Sequence, residues 1–332
     1  MDNKDLNDDF DIKQYEKYFG KSEETPEKTE PVKQYEDIQS DSGKSTKKFN
    51  KTPFLIIIII LFIAIIVAGI FLVRAFSSRI KNYKEDLPTI INTEASTVRV
   101  TFPEGFTVYQ IGQRLEENGV CSAQDFYTAA NSPFDGIEIP DRGDRVFLLE
   151  GYIFPDTYDF FKNESAQSVV KKFVNNYKSK ITPEIEEKAK SLGYSMDEML
   201  TLASIIQKEC DKDIDECKNV SSVFHNRLKN SKDSYLGSDV TYFYLKNMAD
   251  YLGGKDSERF DALLLNYYTY NKYRKGLPSG PICNPGIKAI TAAVEPNETG
   301  YQFFLTDKSG ENFYYAETYE KHLQNAKDAG LN

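Results

Sequence analysis

The sequence has no tryptophan and only two histidines, His225 and His322, in 332 residues. That scarcity all but excludes a multi-histidine metal site and a triad built on histidine. Cysteine is also sparse. Cys121, Cys210, Cys217 and Cys283 form no C-x-x-C pair and no Cys/His spacing suited to zinc. On one continuous helix Cys210 and Cys217 would stand two turns apart, roughly 10 Å, too far for a disulfide. Only a chain break between them reopens the pairing, so four free thiols are expected. Positive charge is short as well: 41 Lys and Arg against 51 Asp and Glu give a net charge of -10. With no basic stripe and an acidic balance that repels phosphate, no nucleic-acid partner is expected. No motif calls for a cofactor or metal.

What is present is strongly segregated. Residues 1–53 are rich in Asp, Glu, Lys, Ser and Asn, with isolated aliphatics, and read as a disordered acidic tail. From Phe54 to Val73 every residue is apolar or small. At 1.5 Å per residue such a run crosses the roughly 30 Å hydrocarbon core, which predicts a transmembrane helix over 54–74. It begins too late in the chain for a cleaved signal peptide. Lysines and arginines flank it equally, so the positive-inside rule does not orient it. Residues 75–97 form a tether. Over 98–148 a small unit is expected: a strand at Val98–Phe102, a helix capped by Thr107, a second capped by Ser122, and a closing strand at Arg145–Leu149.

Residues 149–332 form the main domain. Ser195 and Glu198 have capping-box spacing and open a helix to about Cys210. A second helix runs from about Asp215 to Lys229. Loops follow at Leu236–Tyr242 and Gly276–Gly286, then a helix near Gly286–Val294, a hairpin around Asp307–Gly310, and a last helix from about Thr318. Helices mixed with hairpins make the fold class α+β.

Glu209 is the candidate catalytic residue. Its i−3, i−4 and i−7 neighbours on the predicted helix are Ile206, Ile205 and Leu202, so its carboxyl rises from an apolar face. Burial there raises a carboxyl pKa, which a general acid at neutral pH requires. The competing reading is a helix-end glutamate paired with Lys208 or Lys212. Asp239 is the residue to weigh as a second carboxylate, the group a glycan hydrolase needs at about 5–9 Å from the first.

Six words occur in order: Leu149-Glu-Gly-Tyr-Ile-Phe-Pro-Asp-Thr-Tyr158, Leu202-Ala-Ser-Ile-Ile-Gln-Lys-Glu209, Val223-Phe-His-Asn-Arg-Leu228, Leu236-Gly-Ser-Asp-Val-Thr241, Gly276-Leu-Pro-Ser-Gly-Pro-Ile282 and Asn284-Pro-Gly286. The series resembles the endolytic murein transglycosylase, or YceG-like, family over roughly 98–325. The resemblance implies a LysM-like subdomain over 98–148 and a catalytic domain that cuts nascent peptidoglycan strands. It implies a cell-membrane, single-pass protein with a cytoplasmic N-terminus and an extracytoplasmic catalytic domain, with peptidoglycan synthases as possible partners. Glu209 falls on the family's catalytic acid. Ser238, Asp239, Thr241, Tyr270, Asn271 and Asn226 are the substrate-binding candidates. The chain departs from the family at Gln207, Gly237 and Val240, where a Glu, a Gln and a Pro are usual. A non-catalytic peptidoglycan-binding scaffold and a true glycan hydrolase are the alternatives.

Overall fold

The computed structural model describes residues 96–229, 235–270 and 273–331. The acidic tail, the apolar stretch at 54–74, the tether up to residue 95 and Asn271 lie outside them. Among the described residues no helix is long and apolar enough to cross a membrane.

The fold is α+β, with helices around two small antiparallel sheets. Strand β1 (Thr97–Thr101) leads into helices α1 (Val108–Glu117) and α2 (Ala123–Ala130). Thr107 and Gln110 form a capping box at the start of α1, and Ser122 caps α2. The closing strand is not Arg145–Leu149. Strand β2 (Thr157–Phe161) pairs with β1, from Thr97↔Phe161 to Thr101↔Thr157. Val146, Phe147 and Leu149 are buried, but as core side chains on an irregular segment. Its backbone bonds to the end of α2: Leu149 N–H donates to Ala130 O and Leu148 N–H to the Asn131 side chain.

Helices α3 (Ala166–Lys180) and α4 (Pro183–Ser191) follow. Phe173 of α3 packs edge-on against Phe102 (centroids 5.1 Å apart) and against Phe126, so the strand–helix–helix unit and α3 share one aromatic core. Edge-to-face pairs of this kind add about 0.5–1.5 kcal/mol each beyond their buried area.

Helix α5 (Met196–Glu209) is central. Its Ser195/Glu198 capping box is formed, and Leu200, Leu202, Ala203, Ile205 and Ile206 are fully buried. At its N-terminus Asp197 is buried between Arg142 (2.5 Å), Arg145 (2.6 Å) and the Tyr152 hydroxyl (2.9 Å). Desolvation opposes ionisation of Asp197, but the Arg145 and Arg142 contacts outweigh it and hold the pKa below the usual carboxylate value. The irregular 142–152 segment is thereby pinned to α5.

The helix ends at Cys210, whose backbone is extended, and α6 (Ile214–Lys229) starts four residues later. This break overturns the four-thiol expectation. It brings the Cα atoms of Cys210 and Cys217 to 5.6 Å, and the two are disulfide-bonded. Cys121 and Cys283 remain free. Helix α7 (Val240–Lys246) occupies part of the expected loop, and α8 (Glu258–Tyr267) and α9 (Ile287–Val294) follow. Helix α9 packs on α5 and α6, and α7 packs on α5 and α8. Strands β3 (Phe303–Thr306) and β4 (Phe313–Ala316) make the expected hairpin, closed by α10 (Tyr319–Asp328).

Candidate active site

Glu209 is the last residue of α5, so its side chain leaves the helix where the chain turns away and the next loop can approach. That loop is Leu236–Asp239. Gly237 takes φ +60°, a left-handed conformation that favours glycine, and its N–H donates to Thr269 O. The bend aims the Ser238 hydroxyl at Glu209, to which it donates at 2.6 Å (Oε1). Among the described residues Oε2 makes no hydrogen bond, and Glu209 forms no ion pair with Lys208 or Lys212. Lys212 instead lies 3.8 Å from Asp211.

The Glu209 carboxyl is largely desolvated while the residue keeps partial exposure. Desolvation raises its pKa above the usual value. The Asp239 charge raises it further, while the Ser238 hydrogen bond and the Arg227 charge work the other way. The net direction is upward, which keeps a proton on the carboxyl toward neutral pH.

Of the six substrate-binding candidates, Ser238 touches Glu209 directly. Thr241 is buried and holds the loop, its hydroxyl donating to Ser238 O at 2.7 Å and lying 3.4 Å from the Thr269 hydroxyl. Asp239, the residue to weigh as a second carboxylate, makes no capping hydrogen bond to α7. Its carboxylate stays exposed at the cleft, 3.4 Å from the Tyr268 hydroxyl, with a pKa raised by partial desolvation. Tyr270 is 41% exposed and stacks on Tyr268 (5.8 Å). Tyr268 in turn meets Tyr242 (5.6 Å) and Tyr273 (4.9 Å), so four tyrosines line one side of the site.

Asn226 is placed elsewhere: its amide donates to the carbonyls of Thr299 and Tyr301, at 2.8 and 3.0 Å. The neighbouring Arg227 faces Glu209. Its guanidinium bonds the carbonyls of Leu236 and Gln302, holding the Ser238 loop against the hairpin, and its charge acts on both Glu209 and Tyr270. Gln207 points to another surface of α5, accepting the Gly286 N–H at 2.9 Å. No group of His, Cys, Asp and Glu among the described residues is arranged to hold a metal ion.

The profile of the YceG-like family matches residues 75–328, and the chain belongs to that family. It is 28% identical over 250 residues to an endolytic murein transglycosylase of Streptococcus pneumoniae serotype 2 (strain D39 / NCTC 7466), a match covering 69% of this chain and 44% of that protein. It is 34% identical over 177 residues to the endolytic murein transglycosylase of Bacillus subtilis (strain 168), covering 52% of this chain and 46% of that protein. The chain therefore spans less than half the length of these curated relatives. A 2.6 Å crystal structure described as a yceG-like protein from Listeria monocytogenes superimposes with a TM-score of 0.56 at 27% identity, covering 68% of this chain and 75% of that one.

Proposed function

We propose that the chain is an endolytic lytic transglycosylase that cuts the bond between N-acetylmuramic acid and N-acetylglucosamine in peptidoglycan, with Glu209 as acid and then base. The observation that carries this is the Glu209 carboxyl itself: desolvated, raised in pKa, partly accessible and held by one hydrogen bond, in a chain of the YceG-like family. Protonated Glu209 gives its proton to the glycosidic oxygen as the C1–O bond breaks. The carboxylate left behind is stabilised by the Ser238 hydroxyl and the Arg227 charge. It then takes the proton from the C6 hydroxyl of the same muramic acid, whose oxygen closes on C1 to form a 1,6-anhydro ring. No water is consumed, and the enzyme ends in its starting protonation state. Tyr270, at the exposed edge of the tyrosine wall, offers a ring on which a pyranose stacks.

The hydrolase alternative makes Asp239, exposed at the same cleft, the water-activating carboxylate. In our reading Asp239 acts on Glu209 electrostatically. The 54–74 stretch anchors the protein in the cell membrane with its N-terminus in the cytoplasm, and the LysM-like unit and catalytic domain lie outside. The Cys210–Cys217 disulfide supports that side, since such bonds persist in oxidising compartments. Tethering favours membrane-linked nascent strands by effective concentration, close to the synthases that make them.

The test is mass spectrometry of products from uncrosslinked peptidoglycan strands incubated with the full chain and its Glu209→Gln variant. Anhydro-ended fragments from the wild type alone are expected. Reducing ends in their place identify a hydrolase, and strand binding without products identifies a scaffold.

A further inference from the structure

Helix α7 has a second side. Beyond its first residue, Val240, a recess of about 320 Å3 lies between Phe243 of α7, Asn247 and Met248 just past its end, and Tyr109 and Gln113 of α1, with Lys208 on its wall. This volume is at the small end of the roughly 300–1,000 Å3 typical of ligand pockets. We propose that the recess is a saccharide subsite that takes a muramyl residue of the strand, with Lys208 pairing its carboxylate-bearing substituent. The proposal rests on the reading of Glu209 as the cutting residue.

Three observations support it. Among the described residues Lys208 is the single charged one lining the recess, and it makes no ion pair or hydrogen bond there. The nearby carboxyl able to neutralise it is Glu150, which is fully buried and engaged by the Val108 N–H (2.9 Å), the Asn284 amide (2.9 Å) and the Tyr244 hydroxyl (3.1 Å). Burial pushes Glu150 up to about 8, so it is largely protonated at neutral pH and leaves the ammonium uncompensated.

The wall chemistry suits a sugar. Tyr109 and Phe243 supply aromatic surface, and the exposed amides of Gln113 and Asn247 offer donors and acceptors for hydroxyls and acetamido groups. The placement suits the same strand. Lys208 precedes Glu209 on α5 and Val240 follows Asp239 at the start of α7, so the recess and the cutting site draw on adjacent residues of the same two elements.

A muramyl carboxylate has two sources: the stem peptide, or the lactyl group left when the peptide is removed. The test uses the full chain carrying Glu209→Gln, so binding is read without cutting. It is titrated with peptide-bearing strands, with the same strands after amidase treatment, and with N-acetylglucosamine oligomers that carry no carboxylate. Adding Lys208→Met is expected to raise Kd about tenfold or more for carboxylate-bearing strands, the size of one charge-assisted contact, and to leave the oligomers unchanged. Lys208→Arg restores binding. Whichever strand loses more identifies the source. A loss that is equal for all three ligands, or absent for all, overturns the proposal. Because Lys208 lies near Glu150, Gln113→Ala on the exposed face of α1 serves as a second variant. It is expected to weaken all three ligands alike, and no effect on any of them overturns the proposal. If wild-type protein yields no anhydro products while the Lys208 dependence persists, the subsite stands and the activity falls.

Discussion

Replacing Ser238 by alanine removes one hydrogen bond and leaves the Glu209 backbone position untouched. The hydroxyl donates to Oε1 at 2.6 Å, and the bond matters most once Glu209 has lost its proton. Hydrogen bonds to charged groups contribute about 1.5–3 kcal/mol, roughly 10- to 150-fold in rate if fully expressed in the transition state. Two effects follow from the same lost bond. The plateau of kcat/KM falls by that factor, because the developing carboxylate is less stabilised. The alkaline limb also moves to higher pH. Ser238 lowers the Glu209 pKa, so its loss raises it and the acid form survives further up the scale. The assay is release of soluble anhydro fragments, quantified across pH for Ser238→Ala against wild type. A reduced plateau with an unmoved alkaline limb refutes the electrostatic role and reduces Ser238 to a packing residue of its loop.

Arg227→Met removes the other group that favours the ionised form, and the alkaline limb is expected to move upward here too, while Arg227→Lys restores part of the shift. Asp197→Asn leaves Arg145 and Arg142 without a buried counter-charge. A loss of about 3–5 kcal/mol is expected in denaturant unfolding of the full chain, and a change below about 1 kcal/mol would contradict the account. Glu150 has its folded pKa raised from 4.5 to about 8, so its contribution to stability is full below the unfolded value and is lost as pH rises through about 8. In Glu150→Gln this decline is expected to vanish, which thermal unfolding between pH 5 and about 9 would show. Reducing Cys210–Cys217 reopens a short loop worth about 2–3 kcal/mol by loop-entropy reasoning, and alkylation before reduction is expected to label two cysteines rather than four.

The elements that sequence made legible are those with local signals. The Thr107 cap and the Ser195/Glu198 capping box placed α1 and α5, and two aromatic-rich runs around a turn at Asp307–Gly310 placed the β3–β4 hairpin. Helix α7 was hidden because Asp239 gives it no side-chain cap and its seven residues depend on packing against α5 and α8. The partner of β1 was hidden because pairing across sixty residues has no local trace, and the apolar run at 146–149 imitated a strand. At the site, the apolar face beneath Glu209 was readable from i−3, i−4 and i−7 spacing. Arg227 was missed in favour of Asn226, although a step of one residue turns a helix by about 100° and sends the two side chains to different neighbours. Its signal was an arginine two residues past a largely buried helical stretch, Cys217 to His225. The disulfide depended on a helix break that spacing alone does not reveal.

The pairing of β1 with β2 also bears on how such chains are recombined. A segment cut at residue 148 carries both capped helices but leaves behind the strand that closes its sheet, and with it Phe160, whose ring packs against Phe102. An exchange between relatives that keeps this sheet whole must carry at least 97–161 as one cassette. Its downstream junction then falls beside Phe161, which is 49% exposed, at the entry to the Lys162–Ser165 turn. Chimaeras spliced there are expected to remain soluble, whereas chimaeras spliced at 148 would present an unpaired, aggregation-prone edge.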